Sequence, residues 1–296
     1  MDGLCFGLLH SRRENIVCLF DNAFESSMAI NLIINFFRRI RENKQIVGGT
    51  IAAALLSLRV HYARSDHALF SGLRYGRLPF SARKCDWVIV KEVVFENEYG
   101  FIAEVLRGIE KPRIVDGGAN IGTFALTAFN MIPDAMVYSF EASQETFAIL
   151  KMNQNLNPAL CWETKKAAMW RANETVDFTN SDCSASSRIG GDQGRHEAVE
   201  GINFDAVMFC VGDRADLMKI DIEGAEGEFL SIASSKLANV GQMIIELHPG
   251  RCDIQKILNV LRERWTHLYE IAGRTSSKPL ILATDTSYNL PPFILV

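Results

Sequence analysis

The chain has 296 residues, 48% of them hydrophobic and 22% charged, with a formal net charge of −4. That length buries one good-sized core in one or two domains, and the mild negative charge exerts no pull on nucleic acid, so a polyanionic partner is not expected. The seven cysteines (Cys5, Cys18, Cys85, Cys161, Cys183, Cys210 and Cys252) are scattered, with no CxxC pair and no histidine at zinc-finger distance, and read as reduced thiols of a cytoplasmic protein.

No run reaches the roughly 18 apolar residues that span a bilayer. The best stretch, Ile46 to Leu58, is short and holds two glycines, and Arg12 and Arg13 follow the first apolar run instead of preceding it as in a signal peptide. Residues 1–85 read as a mainly helical N-terminal extension and 86–296 as the catalytic domain, with the boundary between Pro79 and Asp86. Ser27 to Arg41 sets Met28, Leu32, Ile33, Phe36, Phe37 and Ile40 on one apolar helical face and ends in a basic cluster. Packing on the catalytic domain, or on a second copy in a homodimer, is the expected use; a membrane-surface helix is the alternative. Ile46 to Tyr62 predicts a second helix.

Trp87 to Phe95 (WVIVKEVVF) predicts a strand or hairpin, and Tyr99 to Arg107 a helix. From Lys111 onward short β-branched runs alternate with helix-length amphipathic segments, the signature of βαβ units and a mostly parallel, Rossmann-like α/β sheet with helices on both faces. Strands are expected at Arg113 to Asp116, Met136 to Glu141 and Trp162 to Met169, with helices at Gly122 to Met131 and Ser143 to Asn155 between them. Glu174 to Phe178 reads as a further strand. It precedes a Ser/Gly/Asp-rich loop, Thr179 to Gly194, and a short element at Ile202 to Cys210. Strands at Leu217 to Ile222 and Gln242 to Leu247 alternate with helices at Ala225 to Ser234 and Asp253 to Trp265. His267 to Ala272 and Leu280 to Ala283 are expected to close the sheet as an antiparallel pair.

The chemistry begins at Ile114 to Gly122, IVDGGANIG, an apolar strand that ends in a carboxylate and turns through glycines into a helix. A dinucleotide site wants GxGxxG and a pyrophosphate at the helix N-terminus, which Asp116 would repel; Ala119 also stands where the middle glycine belongs. S-adenosylmethionine carries an ammonium and a sulfonium, so an acidic strand tip suits it better than it suits NAD. A second strand, in YSFEA, ends at Glu141, nineteen positions after Gly122. Its carboxylate can accept both ribose hydroxyls of an adenosyl cofactor, although strand-end acids also cap helices.

A third strand, in DLMKIDIEGAE, ends with Asp221, Glu223 and Glu226. The helix dipole accounts for the two glutamates but not for a strand-tip Asp221 at the cleft. The fourth, IIELHPG, is tipped by Glu246 and His248. With a reference pKa near 6.5, His248 can serve as general base or as a hydrogen-bonded structural residue. Asp221, Glu246 and His248 together can also hold a divalent ion.

VDGGANIG, FEAS, KIDIEGAE and IELHP, with the lead-in VFENEYGFIAEVL, resemble the FkbM family of methyltransferases over roughly Val94 to Leu247, KIDIEGAE being the most specific piece. The resemblance implies a class I methyltransferase sheet in which Asp116, Gly117, Gly118, Ala119, Asn120 and Gly122 line the methionine end of S-adenosylmethionine. It implies that Glu141 holds the ribose beside Ala142, that adenine sits near Ala167 and Ala168, and that Asp221 lies at the cleft floor near the transferred methyl. Family members commonly O-methylate polyketides, sugars or other metabolites, so the implied activity is methylation of a hydroxyl on a small molecule or saccharide, with Asp221, Glu246 and His248 as catalytic candidates. The long N-terminal segment and Phe204-Asp205, in place of the usual leucine-aspartate pair, depart from the family pattern and leave the acceptor open. The rival readings are a non-catalytic methyltransferase-like binding module and a nucleotide-dependent oxidoreductase.

Overall fold

The computed structural model describes residues 31, 33–181, 187–191, 194–232, 234–273, 278–289 and 291–296. The expected helical positions Met28 and Leu32, the thiols of Cys5, Cys18 and Cys183, and residues 182–186, 192 and 193 of the Ser/Gly/Asp-rich loop lie outside them. Two compact units divide between Tyr62 and Ala63. The first holds α1 (residues 33–47) and α2 (Thr50–Tyr62), clasped by a buried hydrogen bond of 2.8 Å from Asn43 Nδ2 to Ser57 Oγ. Among the described residues no helix is long and apolar enough to cross a membrane.

The second unit opens on a hairpin inside the stretch expected to be mainly helical, where no strand was expected: β1 (Leu69–Tyr75) pairs antiparallel with β2 (Leu78–Arg83). A register shift between Phe70 and Leu73 lets both bury on one side, and this irregularity imitates helical spacing in the sequence. The expected strand at Trp87 to Phe95 is also corrected. Lys84 to Phe95 is helical throughout, as a 3₁₀ turn (Lys84–Asp86), a single turn α3 (Trp87–Ile89) and a π-helical turn (Val90–Phe95). Val90, Val93 and Val94 bury at helical spacing, so packing of that face overrides the β-branched composition. Asp86, fully buried, starts the stretch by accepting the backbone N–H of Arg83 at 2.8 Å and its Nη2 at 2.8 Å. A short turn, α4 (Ile102–Val105), follows.

Then come β3 (Arg113–Gly117), α5 (Thr123–Met131), β4 (Met136–Glu141), α6 (Gln144–Leu156) and β5 (Cys161–Lys166). The chain next leaves the main sheet. β6 (Ala168–Met169), β7 (Thr175–Asn180), β8 (Arg188–Ile189) and β9 (Arg195–Ile202) form a separate four-stranded sheet in the order β6-β9-β7-β8. It is followed by α7 (Phe204–Cys210), which Asn203 caps by accepting the N–H of Ala206. β10 (Ala215–Ile220), α8 (Glu226–Phe229), β11 (Val240–Glu246), α9 (Ile254–Arg264), β12 (His267–Ile271), β13 (Leu280–Thr284) and β14 (Phe293–Leu295) complete the unit.

The main sheet has eight strands in the order β14-β12-β13-β11-β10-β3-β4-β5. β11, β10, β3, β4 and β5 are parallel, and β13 runs antiparallel between β11 and β12, as the closing pair was expected to. This is a Rossmann-like, mostly parallel sheet flanked by helices. Val115, Met218 and Ile245 are fully buried, and so are their strand neighbours Ile114, Leu217 and Ile244 on the other face. The chain departs from β3 toward β4 on one side, while β10 lies on the other. That reversal opens a crevice at the carboxyl ends of the strands, where open α/β sheets bind ligands.

Candidate functional site

At the crevice the loop after β3 and the loop after β10 are interlocked. Gly118 has φ +70°, and a Cβ built there would come within 1.7 Å of the Asp221 carbonyl oxygen. Asp221 N also donates to Gly117 O at 3.1 Å. The glycine is therefore required by the neighbouring loop, and the contact fixes where Asp221 stands.

Beneath this junction Lys219 is buried within the apolar run Leu217 to Ile220 of β10. Its Nζ donates to Gly117 O at 3.1 Å and Gly118 O at 2.9 Å, and lies 3.5 Å from Asp116 Oδ1 and 3.7 Å from Asp221 Oδ2. Burial alone would lower the ammonium's pKa, but the carboxylates of Asp221, Asp116 and Glu246 outweigh it and raise it. Asp116 is fully buried and accepts from Ser139 Oγ at 3.0 Å; burial raises its pKa against the pull of Lys219. It acts from under the floor, on Lys219.

A cavity of about 310 Å³ occupies the crevice. Of the first-strand residues, Gly118, Ala119 and Asn120 reach its wall, whereas Asp116, Gly117 and Gly122 lie behind it. Glu141, at the tip of β4, is on the wall. One oxygen accepts the N–H of Asn120 at 2.9 Å and the other that of Ser143 at 2.8 Å, leaving a second lone pair on each. Burial pushes its pKa up to about 7 against those two hydrogen bonds. Next to it the wall turns apolar at Ala142, Ala167, Ala168 and Met169, with Phe178 and Ile189 contributed by the smaller sheet.

The opposite end is charged. Asp221, Glu223 and Glu246 line it, and His248, 2% exposed at its side chain, stands behind them. His248 Nε2 lies 3.3 Å from Glu223 Oε2, 3.6 Å from Glu246 Oε2 and 3.8 Å from Asp221 Oδ1. Its Nδ1 is 2.8 Å from Glu226 Oε1. These are ion-pair distances without the alignment of an N–H···O bond, so neither ring nitrogen has a hydrogen-bond partner, and Asp221 Oδ1 has none either. Burial would lower the imidazole's pKa, but Glu223, Glu226 and Asp221 push it up to about 10. The Asp221 carboxyl moves down: burial would raise it, and Lys219, His248 and Lys278 overcome that.

Glu226, fully buried, curls the loop after β10 back on itself by accepting the N–H groups of Ile222 at 3.2 Å and Gly224 at 3.1 Å. Lys278 closes the cluster. Its Nζ is 2.8 Å from Glu223 Oε1 and 3.4 Å from Glu246 Oε2, and Arg251 Nη1 is 2.6 Å from Glu223 Oε2. Glu246 pairs with Leu280 across the antiparallel β11 and β13, and this register sets Lys278 beside it.

The structure thus brings Asp221, Glu246 and His248 together as the spacing suggested, and adds Glu223, Lys219 and Lys278. Lys219 had a visible signal, a lone cation within the apolar run Leu217 to Ile220. Lys278 had none, since it precedes an ordinary strand. Glu92, Val93, Glu98 and Tyr99, from the segment misread as a strand and the turn after it, also line the cavity.

A model of the methyltransferase FkbM domain matches residues 116–268. No curated protein sequence matches the chain. Among solved structures, the methyltransferase FkbM from Methylobacillus flagellatus aligns at 16% identity and a TM-score of 0.43, over 58% of this chain and 43% of that one. This chain therefore spans less than half the length of that protein. The N-terminal domain of EvdMO1 with SAH bound aligns at 12% identity and a TM-score of 0.40, over 64% of this chain and 79% of that one. A putative O-methyltransferase from Nostoc punctiforme aligns at 11% identity and a TM-score of 0.38, over 68% and 58% of the two chains.

Proposed function

The chain belongs to the FkbM methyltransferase family, and from that premise we propose that it takes S-adenosylmethionine as methyl donor and methylates a hydroxyl of a small molecule or saccharide. One observation carries the reading: a single cavity joins an apolar pocket beside a strand-tip carboxylate to a cluster of carboxylates around a buried imidazole. The first end suits an adenosyl group. Glu141 retains lone pairs for two ribose hydroxyls, Ala142 and Ala168 line an apolar stretch of the wall, and Gly118, Ala119 and Asn120 offer backbone to the amino-acid end. The second end suits positive charge, because its carboxylates outnumber its cations.

S-adenosylmethionine, when bound, supplies an electrophilic methyl on a sulfonium. The residues of the chain hold it, exclude water and take the proton of the acceptor hydroxyl. His248 is already held as an imidazolium by Glu223, Glu226 and Asp221, so at neutral pH it orients and balances charge. Asp221 is the favoured proton acceptor. It lines the cavity, and its Oδ1 is buried without a hydrogen-bond partner, which leaves it open to an acceptor O–H. Lys219 and the loop contact at Gly118 keep that carboxylate in place.

Calorimetric titration with S-adenosylmethionine and, separately, NAD tests the cofactor. One saturable site for S-adenosylmethionine, absent in Glu141→Ala, with none for NAD, is the expected result. A folded protein that binds no S-adenosylmethionine would overturn the reading. Release of S-adenosylhomocysteine against a panel of hydroxylated small molecules and saccharides then identifies the acceptor class.

A further inference from the structure

The charged end of the cavity has the layout of an ion site with its supporting shell. Ligand-type atoms of Asp221, Glu223, Glu246 and His248 all lie within 4.8 Å of one another. His248 Nε2 faces the three carboxylates at 3.3, 3.6 and 3.8 Å. Metal–nitrogen and metal–oxygen bonds of roughly 2.0–2.2 Å put neighbouring ligand atoms about 3 Å apart, so the imidazole–carboxylate separations have to shorten by roughly 0.3–0.8 Å and the widest pairs, at up to 4.8 Å, by more.

Two further observations point to a ligand. The imidazole is nearly fully buried, yet Nε2 aims into the cluster with no hydrogen-bond partner, as does the buried Asp221 Oδ1. Behind it, Nδ1 sits 2.8 Å from Glu226 Oε1, and Glu226 is itself tied to the backbone of Ile222 and Gly224. A carboxylate beside the far nitrogen of a histidine, here at 2.8 Å but without hydrogen-bond alignment, occupies the position from which a metal-ligating imidazole is usually supported.

Charge leads the same way. Five carboxylates (Asp116, Asp221, Glu223, Glu226 and Glu246) face three permanent cations (Lys219, Lys278 and Arg251), an excess of two negative charges in a largely buried space. A proton on His248 supplies one positive charge. A divalent ion on neutral imidazole supplies two.

We propose that Asp221, Glu223, Glu246 and His248 bind one divalent cation of the Mn²⁺ or Zn²⁺ class, the class suited to one imidazole with carboxylates. Lys278 competes for Glu223 and Glu246, and its half-exposed chain can swing aside when the ion binds. Three of the four ligands line the cavity, so the ion would meet an acceptor oxygen there and lower the pKa of its hydroxyl. That role rests on the methyl-transfer reading; the ion site itself does not.

The test uses the full chain, stripped with chelator and dialysed. Mn²⁺ binding is followed by loss of the free-ion paramagnetic resonance signal, Zn²⁺ binding by calorimetry, and S-adenosylmethionine is titrated separately. One ion per chain is expected, weakened at least tenfold in both Glu223→Gln and His248→Gln, each checked for native circular dichroism, and held at least as tightly in Lys278→Met. No stoichiometric binding up to millimolar Mn²⁺ and Zn²⁺, or binding unchanged in both ligand variants, would overturn the site. Ion binding without S-adenosylmethionine binding would leave the site standing and remove the methyl-transfer reading; the converse would leave proton removal to Asp221 alone.

Discussion

Glu226 Oε1 stands 2.8 Å from His248 Nδ1 while it accepts the backbone N–H groups of Ile222 and Gly224, so one fully buried carboxylate sets both the loop after β10 and the imidazole after β11. Replacing Glu226 with alanine orphans those N–H groups, at about 1–3 kcal/mol each. Glu226→Gln keeps an acceptor oxygen and loses only the charge. Urea unfolding should rank alanine well below glutamine; equal losses would mean the loop does not depend on these bonds.

Gly118→Ala forces a side chain into a left-handed backbone and against the Asp221 carbonyl. The expected cost exceeds about 1 kcal/mol of stability, because Ala at positive φ is strained even without the clash. Thermal unfolding measures that loss. S-adenosylmethionine affinity should fall in parallel as the two loops separate.

Glu141 gives the pH dependence. Its folded pKa of about 7 stands above its ordinary value of 4.5. Across that window the native state holds more protons than the unfolded chain, so this group's contribution is fully present below pH 4.5 and is lost as pH rises through about 7. Ribose hydroxyls donate to the ionised form, so cofactor affinity should change the other way, rising with pH and releasing a proton on binding. Calorimetry in buffers of different ionisation enthalpy reads that proton. In Glu141→Gln both effects should vanish.

Asp221→Asn removes the favoured proton acceptor and leaves the adenosyl end of the cavity untouched. Methyl transfer should drop by about 10²–10⁴, with S-adenosylmethionine binding changed only a few-fold. A parallel collapse of cofactor binding would assign Asp221 to the donor and not to the acceptor.

The helical stretch Lys84 to Phe95, which lends Val88, Glu92 and Val93 to the cavity wall, hangs on a buried ion pair between Arg83 and Asp86 at 2.8 Å. Asp86→Ala leaves the guanidinium buried without its partner and should cost about 3–5 kcal/mol. Chemical unfolding with far-ultraviolet circular dichroism checks it. A neutral result would mean that water reaches Arg83.

The parts of this protein written in its sequence are those governed by near neighbours. An apolar strand that ends in an acid, turns through glycine and enters a helix is a local arrangement, so Asp116, Glu141, Asp221 and Glu246 could be placed at strand tips from order alone, and the alternation of strands and helices made the sheet mostly parallel. Where the local signal was ambiguous it misled. The shift between Phe70 and Leu73 hid a strand, and the valines of Val90 to Val94 disguised a helical turn, because packing decided both. The division of labour among the acids belongs to tertiary structure. Asp116 and Asp221 look alike as strand tips, yet β3 is overlaid by its own loop while the end of β10 opens on the cavity. The charge of His248 depends on Glu223 and Glu226, more than twenty residues away, and Lys278 reaches Glu246 only because β13 runs antiparallel beside β11. Electrostatic coupling depends on distance in space and on exclusion of water, and neither exists until the sheet has assembled.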